Sequence, residues 1–232
     1  MRPGLAVRSL FIVLLAAVTL LAGCSKEKQD STPLPDAATL LKDASATTKA
    51  QQSVHLVLTV TGKIDELPIE SLQGDLTNVP TVAAQGTVNV DFGGQKLKDA
   101  GFSVFDGVLY AQVMGKQYLD LGPAKDIYDI GAILNPDNGL ANILANFEDP
   151  KAESHEDVAG TPTVRITGNV SADAVNKIAP QLKADGPVPG TAWIKEDGNA
   201  LVQVALSPKE DTSITMTLSD WGKPVTVTKP AS

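Results

Sequence analysis

The sequence predicts an α+β fold: a curved antiparallel sheet attended by amphipathic helices. Three observations predict it. The spacing of apolar residues changes from 3.6 to 2 after about Gln52. Tight-turn dipeptides, Gly93-Gly94, Asp106-Gly107 and Asp197-Gly198, stand between alternating segments. The inward parity of Leu97 fails to match that of Phe102, so a bulge is expected between Asp99 and Gly101, and a bulge bends a sheet.

Ahead of that fold, an apolar run from Leu10 to Leu21 follows Arg2 and Arg8 and closes on Leu21-Ala22-Gly23-Cys24. A positive head, an apolar middle and small residues before a break make a secretory signal peptide. The cysteine at the break resembles the lipobox of bacterial lipoproteins. That resemblance implies cleavage before Cys24, a diacylglycerol on its sulfur and acylation of the new amino terminus. A plain signal peptide and a buried apolar segment are the other readings. The run is shorter than the roughly 20 apolar residues a membrane-spanning helix needs. The expected layout is a signal peptide over 1–23, a lipidated polar tether over 24–35, and one domain over 36–232.

Charge narrows the partners. The chain has 19 Lys+Arg and 27 Asp+Glu. Removing residues 1–23 takes away Arg2 and Arg8 and no acid, which leaves a net charge of −10. An acidic chain whose one remaining arginine is Arg165 is a poor ligand for nucleic acid and for anionic headgroups. Membrane attachment would therefore depend on acyl chains, each buried CH₂ contributing about 0.8 kcal/mol. With Cys24 the only cysteine, the exported protein has no disulfide framework.

Asp36 is placed to cap a helix that runs to about Gln52, with Ala37, Leu40, Leu41, Ala44 and Thr48 at helical spacing. Ser53 to Thr61 alternates as a half-buried strand. A weaker strand follows over Ile69–Asn78, and a clearer one over Val82–Phe92. Gly93-Gly94 would set Asp91 opposite Lys96 and Val90 opposite Leu97. Asp106-Gly107 would set Phe105 opposite Val108 and Val104 opposite Leu109. Gln117–Leu121 reads as a short strand and Pro123–Leu134 as helical turns. Asn135-Pro136 is expected to start a stronger helix carrying Leu140, Ile143, Leu144 and Phe147. Periodicity alone does not say whether that helix packs on a solid core or lies over an apolar space. Strands return at Ala152–Val158 and Thr163–Val170, then a helix capped by Ser171 and a loop over Pro187–Gly190. The last strands are expected at Thr191–Glu196, Leu201–Ser207, Ser213–Ser219 and Val225–Thr228.

Catalytic patterns are missing from the sequence. It has no His-Glu-x-x-His, no Gly-x-Ser-x-Gly, no P-loop and no paired-cysteine metal motif. His55 lies on the outer face of a strand without a second ligand at metal spacing, and His155 lies among Glu153, Glu156 and Asp157. Arg165 is expected to pair with a neighbouring acid. The expectation is a protein that is not an enzyme and takes no cofactor or metal.

Several stretches together resemble one known family. They are the lipobox, Pro33-Leu34-Pro35-Asp36, Val54 to Val60, and Val104 to Tyr110. Ile127-Tyr128-Asp129, Leu134 to Asn142 and Met216 to Gly222 complete the set. Spanning nearly all of the chain beyond the signal, they resemble the mycobacterial LppX/LprA/LprF/LprG lipoproteins, closest to the LprG type. The resemblance implies a curved antiparallel half-barrel with helices on its concave face, enclosing an apolar cavity for acyl chains. It implies a carrier of triacylated glycolipids (phosphatidylinositol mannosides, lipomannan, lipoarabinomannan) and of triacylglycerol. Such a protein would be held on the periplasmic face of the cell membrane and would work with a major-facilitator-type transporter toward the outer envelope. An apolar lining would relieve exposed acyl surface of about 25 cal/mol per Å². The candidate lining residues are Leu56, Leu58, Val88, Val90, Val104 and Leu109 from the sheet, covered by Leu140, Ile143, Leu144 and Phe147. The rival expectation is a lipid-anchored interaction module, or a transporter accessory protein, in which these positions fill a solid core.

Overall fold

A computed structural model describes residues 33–231, other than Glu66 and Gly93. The expected signal peptide, Cys24 and most of the tether lie outside the described residues, as does Gly93 of the first hairpin turn. Pro33–Ser232 is a compact unit in itself.

Eleven strands form one antiparallel sheet in the order β6-β5-β4-β3-β2-β1-β11-β10-β9-β8-β7. In chain order they are β1 (Ser53–Thr61), β2 (Ile69–Thr77), β3 (Ala83–Phe92), β4 (Gln95–Phe105), β5 (Val108–Ala111), β6 (Leu119–Pro123), β7 (Phe147–Val158), β8 (Thr161–Val170), β9 (Val188–Lys195), β10 (Leu201–Leu206) and β11 (Ser213–Ser219). Pairing joins strands consecutive in the chain, except where β1 meets β11. The edge strands β6 and β7 are not bonded to each other, so the sheet is curved and unclosed.

Three helices cover one face: α1 (Ala37–Lys49), α2 (Leu140–Ala145) and α3 (Ala172–Ile178). Asp36 caps α1, its carboxylate accepting from the Thr39 N–H at 2.8 Å and the Thr39 hydroxyl at 2.7 Å. The expected stripe of Ala37, Leu40, Leu41, Ala44 and Thr48 is buried. The helix ends at Lys49, short of Gln52, because the Gln51 N–H turns back to the Thr48 carbonyl. Ser171 caps α3 through the Ala174 N–H.

Both hairpins have the expected register, with Asp91 opposite Lys96 and Phe105 opposite Val108. Asp106 and Gly107 take φ of +50° and +76°, the left-handed pair this turn needs. The bulge falls slightly earlier than expected. Lys98 and Asp99 together oppose Asn89, and Asp99, not a glycine, takes the positive φ of +50°. Its N–H donates to Asn89 Oδ1 at 2.6 Å, which explains how an aspartate holds that backbone.

Other expectations are corrected. Asn135-Pro136 makes a turn instead of starting a helix. Asn135 Oδ1 accepts from the N–H groups of Asp137 and Asn138, and α2 begins only at Leu140. Gly139 forces this path: a Cβ there would lie 2.3 Å from the carbonyl oxygens of Ala132 and Ile133. Phe147 is the first residue of β7 and not the end of a helix. Pro123–Leu134 holds two short 3-10 turns, Ala124–Asp126 and Ile130–Ala132. The expected Pro187–Gly190 loop already belongs to β9 from Val188 onward. Val225–Thr228 pairs with no strand. The Ser53 hydroxyl on β1 donates to the Lys223 carbonyl at 2.6 Å, and Lys229 Nζ stands 5.7 Å from the Tyr110 ring on β5. The segment between them therefore crosses the outer face, where Thr77, Ala83 and Ser103 are buried.

Candidate functional site

Strand pairing turns simple alternation into two surfaces. One row of directly opposed residues crosses nine strands: Ala152, Ile166, Ala192, Val204, Met216, Leu58, Leu72, Val88 and Ala100. Every member is apolar. The adjacent row, one residue along on every strand except β7, where a register shift makes it two, is Ser154, Arg165, Trp193, Gln203, Thr217, Val57, Gln73, Thr87 and Gly101. Most of its members are polar. Because side chains alternate sides along a strand, the first row faces the helices and the second faces outward.

Two cross-strand glycine pairs interrupt the apolar side. Gly74 of β2 faces Gly86 of β3, between Leu56 and Phe102. A Cβ on Gly74 would lie 2.2 Å from the Gln85 carbonyl oxygen, and one on Gly86 would lie 2.0 Å from that of Gln73. No side chain fits, so the two strands close in on each other and the floor between Leu56 and Phe102 carries no side chain. Gly168 of β8 faces Gly190 of β9, and here the Phe147 ring lies where both Cβ atoms would reach, at 3.1 Å.

All ten candidates belong to this interior. Leu56, Val104, Leu140, Ile143 and Leu144 are buried in the main core, and Val90 is buried as well. Leu58, Val88, Leu109 and Phe147 are half-buried and pack against that core. Phe147 does so from β7, in a role different from the expected one. The sequence reading drew its sheet candidates from β1, β3, β4 and β5, and so missed Ile166, Ala192, Val204 and Met216. Their alternation was legible; their adjacency to Leu58 depends on the β1–β11 pairing, which no local pattern announces. Two grooves of about 360 Å³ open elsewhere on the surface, and none of the ten lines either.

The ion-paired histidines and Arg165 lie on the rim and the outer face. His55 Nδ1 is 2.7 Å from Asp75 Oδ1, and His155 Nδ1 is 2.7 Å from Glu196 Oε1. Arg165 pairs with Glu156 at 3.8 Å and stacks 6.0 Å from the Trp193 ring centroid. The Tyr128 hydroxyl donates to the Ile178 carbonyl at 2.9 Å, tying the 3-10 segment to α3. Burial, with Asp129 adding to it, raises the pKa of that phenol well above its usual value. Among the described residues, no three of His, Cys, Asp or Glu come together where they could hold a metal ion. No helix among them is long and apolar enough to cross a membrane.

An open antiparallel half-barrel with helices on an apolar concave face is the class of protein this geometry defines. The family model described as LppX_LprAFG lipoprotein matches residues 36–227, and the chain belongs to that family. It is 59% identical over 233 residues to a Mycolicibacterium smegmatis protein named lipoarabinomannan carrier protein LprG, covering 100% of this chain and 99% of that one. A Mycobacterium leprae protein of the same name is 49% identical and covers 96% of each chain. Among solved structures, LprF from Mycobacterium bovis matches with a TM-score of 0.78 at 33% identity, over 86% of this chain and 99% of that one. LppX from Mycobacterium tuberculosis matches with a TM-score of 0.65 at 25% identity, over 82% and 97%.

Proposed function

We propose that this chain is an exported, lipid-anchored carrier that holds the acyl chains of envelope glycolipids between its sheet and its helices. The unbroken apolar row across nine strands carries the reading. An acyl chain in water leaves its whole surface exposed, at about 25 cal/mol per Å². A hydrocarbon-lined interior removes that cost while a sugar head stays in solvent. The name of the similar proteins, lipoarabinomannan carrier protein, supports lipoarabinomannan as a cargo; lipomannan, phosphatidylinositol mannosides and, as a headless cargo, triacylglycerol belong to the same proposal. Anchoring at Cys24 after cleavage, a tether to residue 35 and a domain from Asp36 place the carrier on the periplasmic face of the membrane. Hand-over to and from a major-facilitator-type transporter belongs to the same reading, as does the absence of catalysis. The ten candidate residues are the proposed lining.

The test begins with residues 25–232, unlipidated, made in a mycobacterial cytoplasm and extracted with organic solvent for mass spectrometry. A di- or triacylated lipid at near-stoichiometric amount is expected. Val88→Trp should fold normally and lose that lipid, because Val88 is half-buried on the apolar row and an indole there fills space between the layers. A folded wild-type protein that is lipid-free and refuses added glycolipid overturns the carrier and favours an anchored interaction module. Loss of folding in Val88→Trp favours a filled core at that position.

A further inference from the structure

The connections between strands divide between the two ends of the sheet. The register pairs Thr61 with Ser213, Ile69 with Val90 and Phe92 with Gln95. It therefore puts the connections over 62–68, 93–94 and 207–212 at one end. β5 runs toward the same end and turns into β6 through 112–118. The first turn of α1 lies there too. Ser45 Oγ donates to the Ala141 carbonyl at 2.7 Å and Lys49 Nζ meets Asp137 Oδ1 at 3.0 Å, which sets α1 antiparallel to α2. α2 ends just before β7 starts at Phe147, opposite Val170, which itself faces Val188. Gly190 then pairs with Leu206, and Leu206 with Ile214, beside the 207–212 connection. Pro33, where the described chain begins, stands just ahead of α1 at this end.

The apolar interior opens in the same direction. Along β1, Val54 and Leu56 are buried while Leu58 and Val60 are half-buried. Along β2, Leu76 is buried and Leu72 half-buried; along β3, Ala84 is buried and Val88 half-buried. Val90, one step further, is covered where the 62–68 connection returns, the Asp91 N–H donating to the Pro68 carbonyl at 2.9 Å. Beyond the strands, Met114 is 76% exposed in the 112–118 connection. The base of that connection is held by Gln112. Its Nε2 donates to the Lys116 carbonyl at 2.7 Å, and its Oε1 accepts from the Gly101 N–H at 3.2 Å. A fixed loop thus holds a flexible apolar side chain out in solvent.

Charge and reach say what this end meets. The connections over 62–68, 93–94, 112–118, 183–187 and 207–212 hold four lysines and five acids, so an acidic chain is close to neutral here. From Cys24 to Pro33 the chain spans at most about 32 Å, even fully extended. The opposite end, marked by Asp106-Gly107, lies the length of β4 away, about 36 Å for eleven residues. Ile127, 64% exposed, belongs to that opposite end. Its N–H donates to the Ala124 carbonyl, and the Ala124 N–H to the Gly107 carbonyl. A lipid on Cys24 holds the Met114 end close to a bilayer, whereas bringing the Ile127 end to it takes more than the full reach of the tether.

We infer that this end docks on the bilayer to which the chain is anchored. Met114 enters the hydrocarbon, and the interior opens onto the membrane, so that acyl chains pass between bilayer and protein without crossing water. This rests on the anchored-carrier reading above and gives that carrier an orientation.

The test uses the full chain, processed and lipidated, on phosphatidylcholine vesicles. Cys24 is the only cysteine, so with it acylated Met114→Cys or Ile127→Cys supplies the one free thiol for a fluorophore. Nitroxide groups on the lipid acyl chains should quench the Met114→Cys probe about threefold more than the Ile127→Cys probe. The contact is apolar, so the difference should persist between about 0.05 M and 0.5 M salt. Met114→Asp should slow transfer of a triacylglycerol from the vesicles about tenfold with Tm unchanged, and Met114→Leu should keep the wild-type rate. Equal quenching at the two positions, or stronger quenching at Ile127→Cys, overturns the inference. So does quenching that disappears in high salt, because headgroup charge would then hold the protein. Where the wild type transfers lipid, an equal rate in Met114→Asp overturns it as well. Quenching at Met114→Cys with no lipid transfer by the wild type supports the docking and overturns the carrier reading instead. A chain that leaves the vesicles overturns the anchoring, and this inference with it.

Discussion

At the level of single residues, the outer face is ordered by a few hydrogen-bonded charges, and Glu156 is the best placed. Its Oε1 accepts from the Ser154 hydroxyl at 2.8 Å and its Oε2 from the Trp193 indole N–H at 2.8 Å, with Arg165 alongside. Partial burial pushes its pKa up. The bonds from Trp193 and Ser154, with the charge of Arg165, outweigh that and hold it below the usual glutamate value. A native pKa below the unfolded one contributes stability above the unfolded value of about 4.3, and that stability is lost as pH falls through the native value. Glu156→Gln should therefore melt with a shallower loss of stability between about pH 5 and pH 3, followed by circular dichroism. An unchanged acid limb would show that Glu156 is held no differently in the folded and unfolded chains.

Among the elements, the hairpin of β2 and β3 holds a strand approach at Gly74 and Gly86 too close for any side chain. Gly86→Ala must push its methyl against the Gln73 carbonyl, which sits 2.0 Å from where the Cβ would lie. The expected cost is about 1–3 kcal/mol, the range for overpacking, measured by urea unfolding. Gly160→Ala, in a turn with open space around it, is the comparison for a positive φ without a clash. The two strands themselves were legible from alternation, and so were the Asp106-Gly107 turn and the caps at Asp36 and Ser171. Local chemistry fixes each of these within a few residues. The start of α2 was not legible, because Pro136 suits a turn as well as a first helical turn and the deciding contact comes from the carbonyls of Ala132 and Ile133. Phe147 continued the helical spacing of Leu140 and Leu144, yet the long β7–β8 pairing claims it. Half of the candidate interior was readable as inward parity. The other half waits on β1 meeting β11, a contact between the two ends of the domain.

Taken as a whole, the described unit is one sheet bent around three helices, with its C-terminal segment drawn across the outside from β1 to β5. Trp221 Nε1 donates to the Leu201 carbonyl at 2.8 Å and the Gly222 N–H to the Ser53 carbonyl at 3.0 Å, so the crossing starts from a fixed point. Ending the chain at Pro224 should uncover Tyr110, now 5% exposed. Re-exposing a side chain of that kind costs about 2 kcal/mol, which for a domain of this size lowers Tm by about 5 °C in calorimetry. An unchanged Tm would mean that the segment rests on the sheet without stabilising it. The unbonded edges of β6 and β7 bear on the same geometry. In a closed barrel, strand number and stagger fix the diameter, and no side chain can alter it. Here no ring of hydrogen bonds runs around the circumference. The hydrogen-bond ladders therefore leave the separation of β6 and β7 to the packing between sheet and helices.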